Sequence, residues 1–156
     1  PACIADFPDA ITSNATLKQL LSVQKVTDLV ALSAQDKENV AKNRYVTFQN
    51  DINVTDGDDT KIMRPRTLEE SFAYQNFSML RDGGLTLGID IPTELSEAYK
   101  AIYNQVRSNN FKKTDFAMSV LAGSDQWQVP IYISEGLQWL ESKLLGPKAT
   151  VVEAQE

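Results

Sequence analysis

The sequence feature that most constrains the fold is an alternating segment that leads directly into a turn. Over residues 44–54, apolar side chains occupy most alternate positions, and polar side chains occupy the positions between them. This period of two is typical of a β-strand with one buried face. Residues 55–59 then read TDGDD, and Asp-Gly favours the positive φ that tight hairpin turns require. We therefore expect a β-hairpin, with residues 60–66 as the returning strand.

Two further segments predict strands. Residues 85–91 alternate leucine and isoleucine with small or polar residues, and Pro92 ends the pattern. Residues 129–133 form a short run, VPIYI, that is rich in β-branched side chains. Because Pro130 has no N–H for a central ladder, we expect this second segment to lie at the edge of a sheet.

Four segments predict helices. The sequence TLEE at residues 67–70 matches a capping box and indicates a short helix. Residues 93–109 carry apolar side chains at i, i+3, i+4 and i+7, which is the strongest amphipathic pattern in the chain. Residues 114–122 predict a shorter helix. A last helix, capped by Ser134, carries leucines at helical spacing and ends at a Gly-Pro pair.

The order of these signals indicates an α+β fold. The β patterns are denser before residue 92 and helices dominate after it, whereas a parallel α/β sheet would interleave them. We expect an N-terminal antiparallel β-rich part with a hairpin, followed by two or three C-terminal helices. The length of 156 residues suits one domain. We place that domain at residues 1–147 and a C-terminal tail at residues 148–156.

Composition narrows the chemistry. The chain has no histidine, which excludes histidine-based triads, histidine-containing zinc sites and histidine proton relays within one chain. Cys3 is the only cysteine, so no internal disulfide can form. The net charge of −6 disfavours general binding to nucleic-acid phosphates. No apolar run approaches about 20 residues and no secretory signal is visible, so we expect cytoplasmic synthesis and no membrane partner.

Three local features have both a chemical and a structural interpretation. The acidic side chains over residues 51–59 resemble Ca²⁺ ligands, but their spacing departs from an EF-hand and fits a solvated turn better. Pro1 offers a secondary amine of the kind that tautomerases use as a base, whereas removal of a preceding methionine explains it more simply. Gly83, Gly84 and Gly88 match no phosphate-binding loop. We therefore expect no catalytic residue, no cofactor and no metal site.

Two sets of residues are candidates for binding. Lys61, Arg64 and Arg66 cluster on the proposed returning strand, where arginine can pair with phosphate. The structural alternative is that they pair with acids such as Asp51 on the neighbouring strand. Aromatic side chains of the helical half are candidates for an interface, although core packing is the structural alternative. They are Tyr99, Tyr103, Trp127 and Trp139.

The order of the predicted elements resembles that of the coat proteins of small single-stranded RNA phages. The features that carry the resemblance are the hairpin at 44–66, the strand at 85–91 that leads directly into the helix at 93–109, and the shorter helix at 114–122. In that family, a β-sheet leads into two C-terminal helices that interlock across a dimer, and the sheet face binds an RNA hairpin.

This resemblance spans residues 26–122 and is one of arrangement, without a specific motif. It implies that Arg64 and Arg66 face RNA. The helix predicted after Thr67 and the elements after residue 128 depart from that family's arrangement.

Two functional hypotheses of different classes follow. The first is a self-assembling structural protein, such as a viral or phage coat subunit, whose partners are copies of itself and RNA and whose destination is the virion. The second is a small monomeric or dimeric ligand-binding protein or enzyme that works without histidine. It would bring Asp or Glu, Tyr or Lys side chains together in a pocket.

Overall fold

The structure, a computed structural model, describes residues 18–19, 22–24, 28, 31–32, 37–38, 43–123 and 126–145. Pro1, Cys3 and the predicted tail at 148–156 lie outside these residues. The described chain forms a two-stranded antiparallel sheet followed by helices, which confirms the α+β fold class. The elements are β1 (Ile52–Asp56), β2 (Asp59–Met63), α1 (Leu68–Gln75), α2 (Phe77–Arg81), α3 (Leu95–Val106), α4 (Lys113–Ala122) and α5 (Ile131–Leu145).

β1 and β2 form the hairpin that the sequence predicts. Their register leaves Gly57 and Asp58 as a two-residue turn. Gly57 has a φ of +57°, a left-handed value that glycine adopts without a steric penalty. The prediction that the first strand begins at residue 44 was wrong, because Tyr45 forms only an isolated antiparallel bridge with Glu38 and residues 47–51 belong to no strand within the described chain.

Thr67 caps α1 as the sequence predicts. Its Oγ1 accepts a hydrogen bond from the backbone N–H of Glu70 at 3.2 Å, which satisfies one of the unpaired donors of the first turn. The Glu70 side chain does not return to Thr67 as in a capping box. Its Oε2 instead accepts from the backbone N–H of Arg66 at 2.8 Å. α1 ends at Asn76, which also precedes α2, a short helix that the sequence pattern did not predict.

Residues 85–91 alternate between buried and exposed positions as predicted, but the prediction of a strand was wrong. Gly88 has a φ of +68°, which interrupts the extended backbone, and no described strand runs alongside. Gln105 of α3 takes the place of a neighbouring strand. Its Oε1 accepts from the N–H of Asp90, and its Nε2 donates to the Asp90 carbonyl, both at 2.8 Å.

The core lies between the hairpin and the helices α1 to α3. α1 packs against β1 and α3, α2 packs against β1, and α3 packs against β2. α3 buries side chains at i, i+3, i+7 and i+11, which confirms the predicted amphipathic helix. The apolar side chains of this core that are no more than 2% exposed are Val54, Met63, Ala73, Tyr74, Ala98 and Ile102.

The predicted helix at 114–122 is confirmed as α4, which begins one residue earlier and ends before Gly123. Phe116 is its buried side chain and meets the ring of Phe72 edge to face, with centroids 5.7 Å apart. Within the described residues, no helix is long and apolar enough to cross a membrane.

α5 begins three residues before Ser134 and includes most of the predicted edge strand at 129–133, so that strand prediction was wrong. The carbonyl of Pro130 accepts from the N–H groups of Ile133 and Ser134 at 2.9 and 3.1 Å. A proline beside the first turn loses no intrahelical hydrogen bond, because the first N–H groups of a helix have no partner within it.

Candidate functional site

Arg66 and Glu70 form a buried ion pair where the chain passes from β2 into α1. Their side chains are 4% and 0% exposed. Oε1 of Glu70 accepts from Nη2 of Arg66 at 2.7 Å, and Oε2 accepts from Nε at 3.2 Å. Burial raises the pKa of Glu70, and the hydrogen bonds and charge of Arg66 oppose that rise. Because a buried charge without a partner is costly, the pair holds this connection in one geometry.

The structure brings Arg66 together with two of the aromatic residues that the sequence singles out. The guanidinium carbon of Arg66 lies 3.3 Å from the ring centroid of Tyr103 and 5.7 Å from that of Tyr99. Such cation–π contacts stabilise a desolvated guanidinium. Arg66 is therefore enclosed by Glu70 and by the tyrosines of α3, and its charge is not presented to solvent.

The other two basic candidates lie on or next to the hairpin. Nε and Nη2 of Arg64 donate to the two carboxylate oxygens of Asp51 at 2.5 and 2.6 Å, which is a bidentate pair. This pair raises the pKa of Arg64. Lys61 is exposed on β2. Of the three basic candidates, one is thus exposed, one is paired at the surface, and one is buried.

Two carboxylates of the acidic segment at 51–59 also form ion pairs. Asp51 pairs with Arg64, and Asp56 accepts a hydrogen bond from Nη1 of Arg81 on α2. In the part of the chain that the structure describes, no group of three or more Asp, Glu, Cys or His side chains is placed to hold a metal ion.

Glu69, the neighbour of Glu70 on α1, lies in a different environment. Its side chain is 7% exposed, and its Oε1 is 3.2 Å from Nζ of Lys113, whose side chain is 69% exposed. Burial raises the pKa of Tyr132 on α5, and the charge of Glu69 adds to that rise. A hydrogen bond with Gln49 acts in the opposite direction. We call Glu69, Lys113, Tyr132 and Gln49 the carboxylate site.

The carboxylate site combines side chains that suit chemistry without histidine. A buried carboxylate accepts a proton or hydrogen bonds, a lysine on a flexible stem binds anionic groups, and a phenol with a raised pKa remains a hydrogen-bond donor. Three helices and the segment before β1 contribute these groups. Sequence reasoning missed the site, because Glu69 belongs to the capping-box pattern and Tyr132 to the predicted strand.

A second polar cluster attaches α5 to the preceding part of the chain. Glu135 accepts from Nζ of Lys37 at 2.9 and 3.0 Å and from the Tyr45 hydroxyl at 2.5 Å. The ring of Tyr45 stacks on Trp139 with centroids 5.3 Å apart, and Nε1 of Trp139 donates to Glu38 at 2.8 Å. Burial, followed by the hydrogen bond to Glu135, raises the pKa of Tyr45. Trp139, a predicted interface residue, thus contacts its own chain.

The other side of α5 is apolar and exposed. Leu137, Leu140 and Leu144 are 58%, 45% and 74% exposed and are spaced i, i+3 and i+7. At about 100° of rotation per residue, they point largely away from Glu135 and Trp139, which contact the chain. We call Leu137, Leu140 and Leu144 the leucine face.

Trp127, the remaining predicted interface residue, packs against Phe72 at the border of the core, with ring centroids 5.4 Å apart. The buried Asn76 holds the next residue in place. Its Nδ2 donates to the carbonyls of Phe72 and Gln128 at 3.0 and 2.9 Å, and its Oδ1 accepts from the N–H of Gln128 at 2.6 Å. One side chain therefore joins the end of α1 to the segment before α5.

Comparison with known proteins identifies no relative. No protein-family model matches the chain, and neither a curated protein nor a solved structure matches it. The class that the structure itself defines is an α+β domain with a β-hairpin and an exposed apolar helix face. Its function is therefore argued from the leucine face and the carboxylate site.

Proposed function

We propose that the chain is a self-assembling structural protein that pairs with copies of itself through the leucine face of α5. The observation that carries this proposal is that one side of α5 is attached to its own chain while the other side exposes three leucines. A helix with contacts or apolar side chains on most of its circumference is normally enclosed in a larger structure. Contiguous exposed apolar residues mark interaction surfaces.

A second copy of the chain suits this face. The spacing of three and then four residues between the leucines is that of a coiled-coil seam, which is complementary to itself. A two-fold axis would bring the same three residues of both copies together. The 15 residues of α5 span about 22 Å. Pairing over that length buries an area near the lower end of specific interfaces, so we expect a dissociation constant of about 1 μM or weaker.

The coat-protein hypothesis is a narrower form of this proposal, in which the paired helices build a shell and RNA is a further partner. Within it, Lys61 is the best placed of the three basic candidates to contact phosphate. Arg64 is paired with Asp51 and Arg66 is enclosed by Glu70, so neither offers a free fork to RNA.

Light scattering after size-exclusion chromatography tests the proposal, with loading concentrations from about 1 to about 100 μM around the expected dissociation constant. We expect the wild-type mass to rise with concentration above the 17.4 kDa of one chain. The double variant Leu137→Glu/Leu140→Glu should stay at the mass of one chain. Gln138→Glu adds a charge at an exposed position between these leucines and should behave as wild type.

Absorbance at 260 and 280 nm in the same run separates the narrower hypothesis from the broader one. Excess absorbance at 260 nm in a large species would favour a coat that contains nucleic acid, and its absence would favour assembly alone. A wild-type chain that keeps the mass of one copy at every concentration refutes self-assembly through α5.

The carboxylate site favours a second candidate function, ligand binding or catalysis without histidine. Its supporting observation is that Glu69 is buried while its cationic partner, Lys113, is largely exposed. A buried carboxylate with so loosely held a partner contributes little to stability, and such arrangements are common at functional sites.

The two adjacent glutamates offer a matched test of this second candidate. Glu69→Gln should leave the urea midpoint unchanged or raise it, because functional groups are often held at the expense of stability. Glu70→Ala should lower the midpoint, because it removes the acceptor of three hydrogen bonds from the buried Arg66. If Glu69→Gln destabilises the chain as much as Glu70→Ala, the carboxylate site is a structural ion pair.

A further inference from the structure

A cleft of about 430 Å³ lies beside β1. Residues 53–55 of β1 form part of its wall, residues 74–79 at the junction of α1 and α2 form another part, and Gln126 and Gln128 complete the lining. This volume is within the range of sites that bind small ligands or short peptide segments. The cleft is distinct from the carboxylate site and from the leucine face, with which it shares no residue.

The cleft follows the edge of β1. Consecutive side chains of a strand point to opposite faces of the sheet, so three successive residues line one cleft only if it runs along the strand edge. In a hairpin with a two-residue turn, the pair that closes the turn is hydrogen-bonded, and the following pairs alternate. Counting from Asp56 and Asp59, Thr55 and Asn53 occupy the positions whose N–H and C=O groups point away from β2.

A side-chain contact supports this assignment. The hydroxyls of Thr55 and Thr60, which are opposite each other, lie 3.2 Å apart. Side chains approach most closely at pairs that share no backbone hydrogen bond, because their Cα atoms are closer there. Within the described residues, the sheet has two strands and no backbone hydrogen bond joins Asn53 or Thr55 to a third segment. Such an edge is a template for another strand.

The chemistry of the lining selects the kind of ligand. None of the side chains that line the cleft is charged, although the chain carries a net charge of −6. Amides and hydroxyls, which both donate and accept hydrogen bonds, predominate among them. Oε1 of Gln75 is buried without a hydrogen-bond partner, while its Nε2 donates to Gln128 at 2.8 Å. A buried carbonyl oxygen without a donor is costly, and a ligand N–H would remove that cost.

We propose that this cleft binds an extended, uncharged polar segment of another polypeptide, which adds to β1 as a third strand. Main-chain groups of the segment would pair with Asn53 and Thr55, and one of its N–H groups or amide side chains would donate to Gln75. Main-chain pairing of this kind supplies affinity, while the lining residues supply selectivity for uncharged side chains. Three residues of β1 offer about 10 Å of edge, which suits a segment of three to five residues.

Nuclear magnetic resonance on the full ¹⁵N-labelled chain tests this proposal. The probes are blocked pentapeptides that alternate valine with threonine, serine, asparagine or glutamine. We expect them to shift the amide signals of Asn53 and Thr55 and to saturate at or below about 1 mM. Copies with N-methylated backbone amides should bind at least about tenfold more weakly, because they lack the donors of a strand. Copies with aspartate or lysine at the polar positions should also lose affinity.

Two proline variants make a matched pair on the protein side. Asn53→Pro removes an N–H that points into the cleft, and Ile62→Pro removes the equivalent N–H on the opposite edge of the hairpin, where Ile62 faces Asn53. We expect Asn53→Pro to lose peptide binding and Ile62→Pro to keep it. Gln75→Met leaves both strands intact and should weaken peptide binding about threefold to tenfold. This variant replaces the proline variants as the test if either of them does not fold.

Three results would overturn the proposal. The first is that no blocked neutral pentapeptide shifts the Asn53 and Thr55 signals at millimolar concentration. The second is that N-methylated and unmodified peptides bind equally, because the contact would then not be strand pairing. The third is that Asn53→Pro and Ile62→Pro reduce binding to the same extent. Each outcome is independent of whether α5 associates with a second copy.

Discussion

Glu70→Ala should be among the most destabilising single substitutions in the described chain. Glu70 accepts hydrogen bonds from the backbone N–H, Nε and Nη2 of Arg66, and neither side chain is more than 4% exposed. Removing the carboxylate leaves a guanidinium that cannot lose its proton in a site closed to water. Breaking a buried pair in this way typically costs about 3–5 kcal/mol. The cation–π contact with Tyr103 places the expected value toward the lower end of that range.

Urea denaturation measures this loss directly. A chain of this size typically has a free energy of unfolding of about 5–15 kcal/mol, so Glu70→Ala removes a large fraction of it. With a slope of about 2 kcal/mol per molar urea, a loss of about 3–4 kcal/mol lowers the midpoint by about 1.5–2 M. The slope itself should not change, because the same surface is exposed on unfolding.

The two halves of the pair should respond differently to pH. Arg66→Met leaves Glu70 buried without its cation, but a carboxylate, unlike a guanidinium, can take up a proton. Its loss of stability should therefore be small near pH 5, grow by about 1.4 kcal/mol for each pH unit between the unfolded-state pKa of 4.5 and the folded-state pKa of Glu70, and level off above the latter. The double variant Arg66→Met/Glu70→Leu removes both charges and should be more stable than Glu70→Ala.

Asp51→Ala is the matched control, because it breaks the bidentate pair with Arg64 at the surface, where the Asp51 side chain is 42% exposed. Such a pair contributes about 0–1 kcal/mol. If Glu70→Ala costs no more than Asp51→Ala, or if the double variant is less stable than Glu70→Ala, then burial of the Arg66–Glu70 pair does not have the energetic effect assigned to it.

Three further predictions concern the side chains of Glu70, Gln105 and Asn76. Burial raises the pKa of Glu70 above 4.5, so the folded state keeps this proton to higher pH than the unfolded state. The stability from Glu70 is then fully present below pH 4.5 and lost as pH rises through the folded-state pKa, and this slope should be absent in urea titrations of Glu70→Gln. Gln105→Ala should cost about 1 kcal/mol and speed hydrogen exchange at the Asp90 amide, whereas Asn104→Ala at the neighbouring exposed position should do neither. Asn76→Ala should lower stability by about 2–3 kcal/mol in thermal or urea unfolding, because it leaves the backbone of Gln128 without its partners. A loss for Asn76→Ala no greater than that for the exposed Asn109→Ala would contradict that account.

The sequence predicted best those elements whose signals are complete within a short segment. The hairpin needs only alternation and an Asp-Gly turn, and α3 needs only apolar side chains at helical spacing, so both were found. The alternation of residues 85–91 is equally clear in the sequence, and in the structure these positions alternate between buried and exposed. A strand also needs a neighbour, however, and here the neighbour is the side chain of Gln105. Gly88 is the residue of this segment that distinguishes the two cases, because a glycine within an alternating pattern weakens a strand and adopts a positive φ here.

The candidate sites were harder to predict because they depend on which buried charges meet. The sequence singles out Arg66 as a basic residue that could contact RNA, but in the structure its guanidinium pairs with the carboxylate of Glu70. Glu69 and Glu70 are neighbours in a capping-box pattern. Glu69 pairs with the exposed Lys113 of α4, whereas Glu70 pairs with the buried Arg66. That division arises from tertiary packing, which places two successive helix positions against different elements.

The leucine face illustrates why an apolar pattern in a sequence identifies a side of a helix without identifying its partner. Leu137, Leu140 and Leu144 have the spacing that would normally point toward a core. In the structure, the opposite side of α5 is attached to the chain by Glu135 and Trp139. Rotating the helix to bury the leucines would break those hydrogen bonds and leave Lys37 buried without its carboxylate. A second surface can therefore cover the leucines at a lower cost than refolding, and this is the reason to measure self-association first.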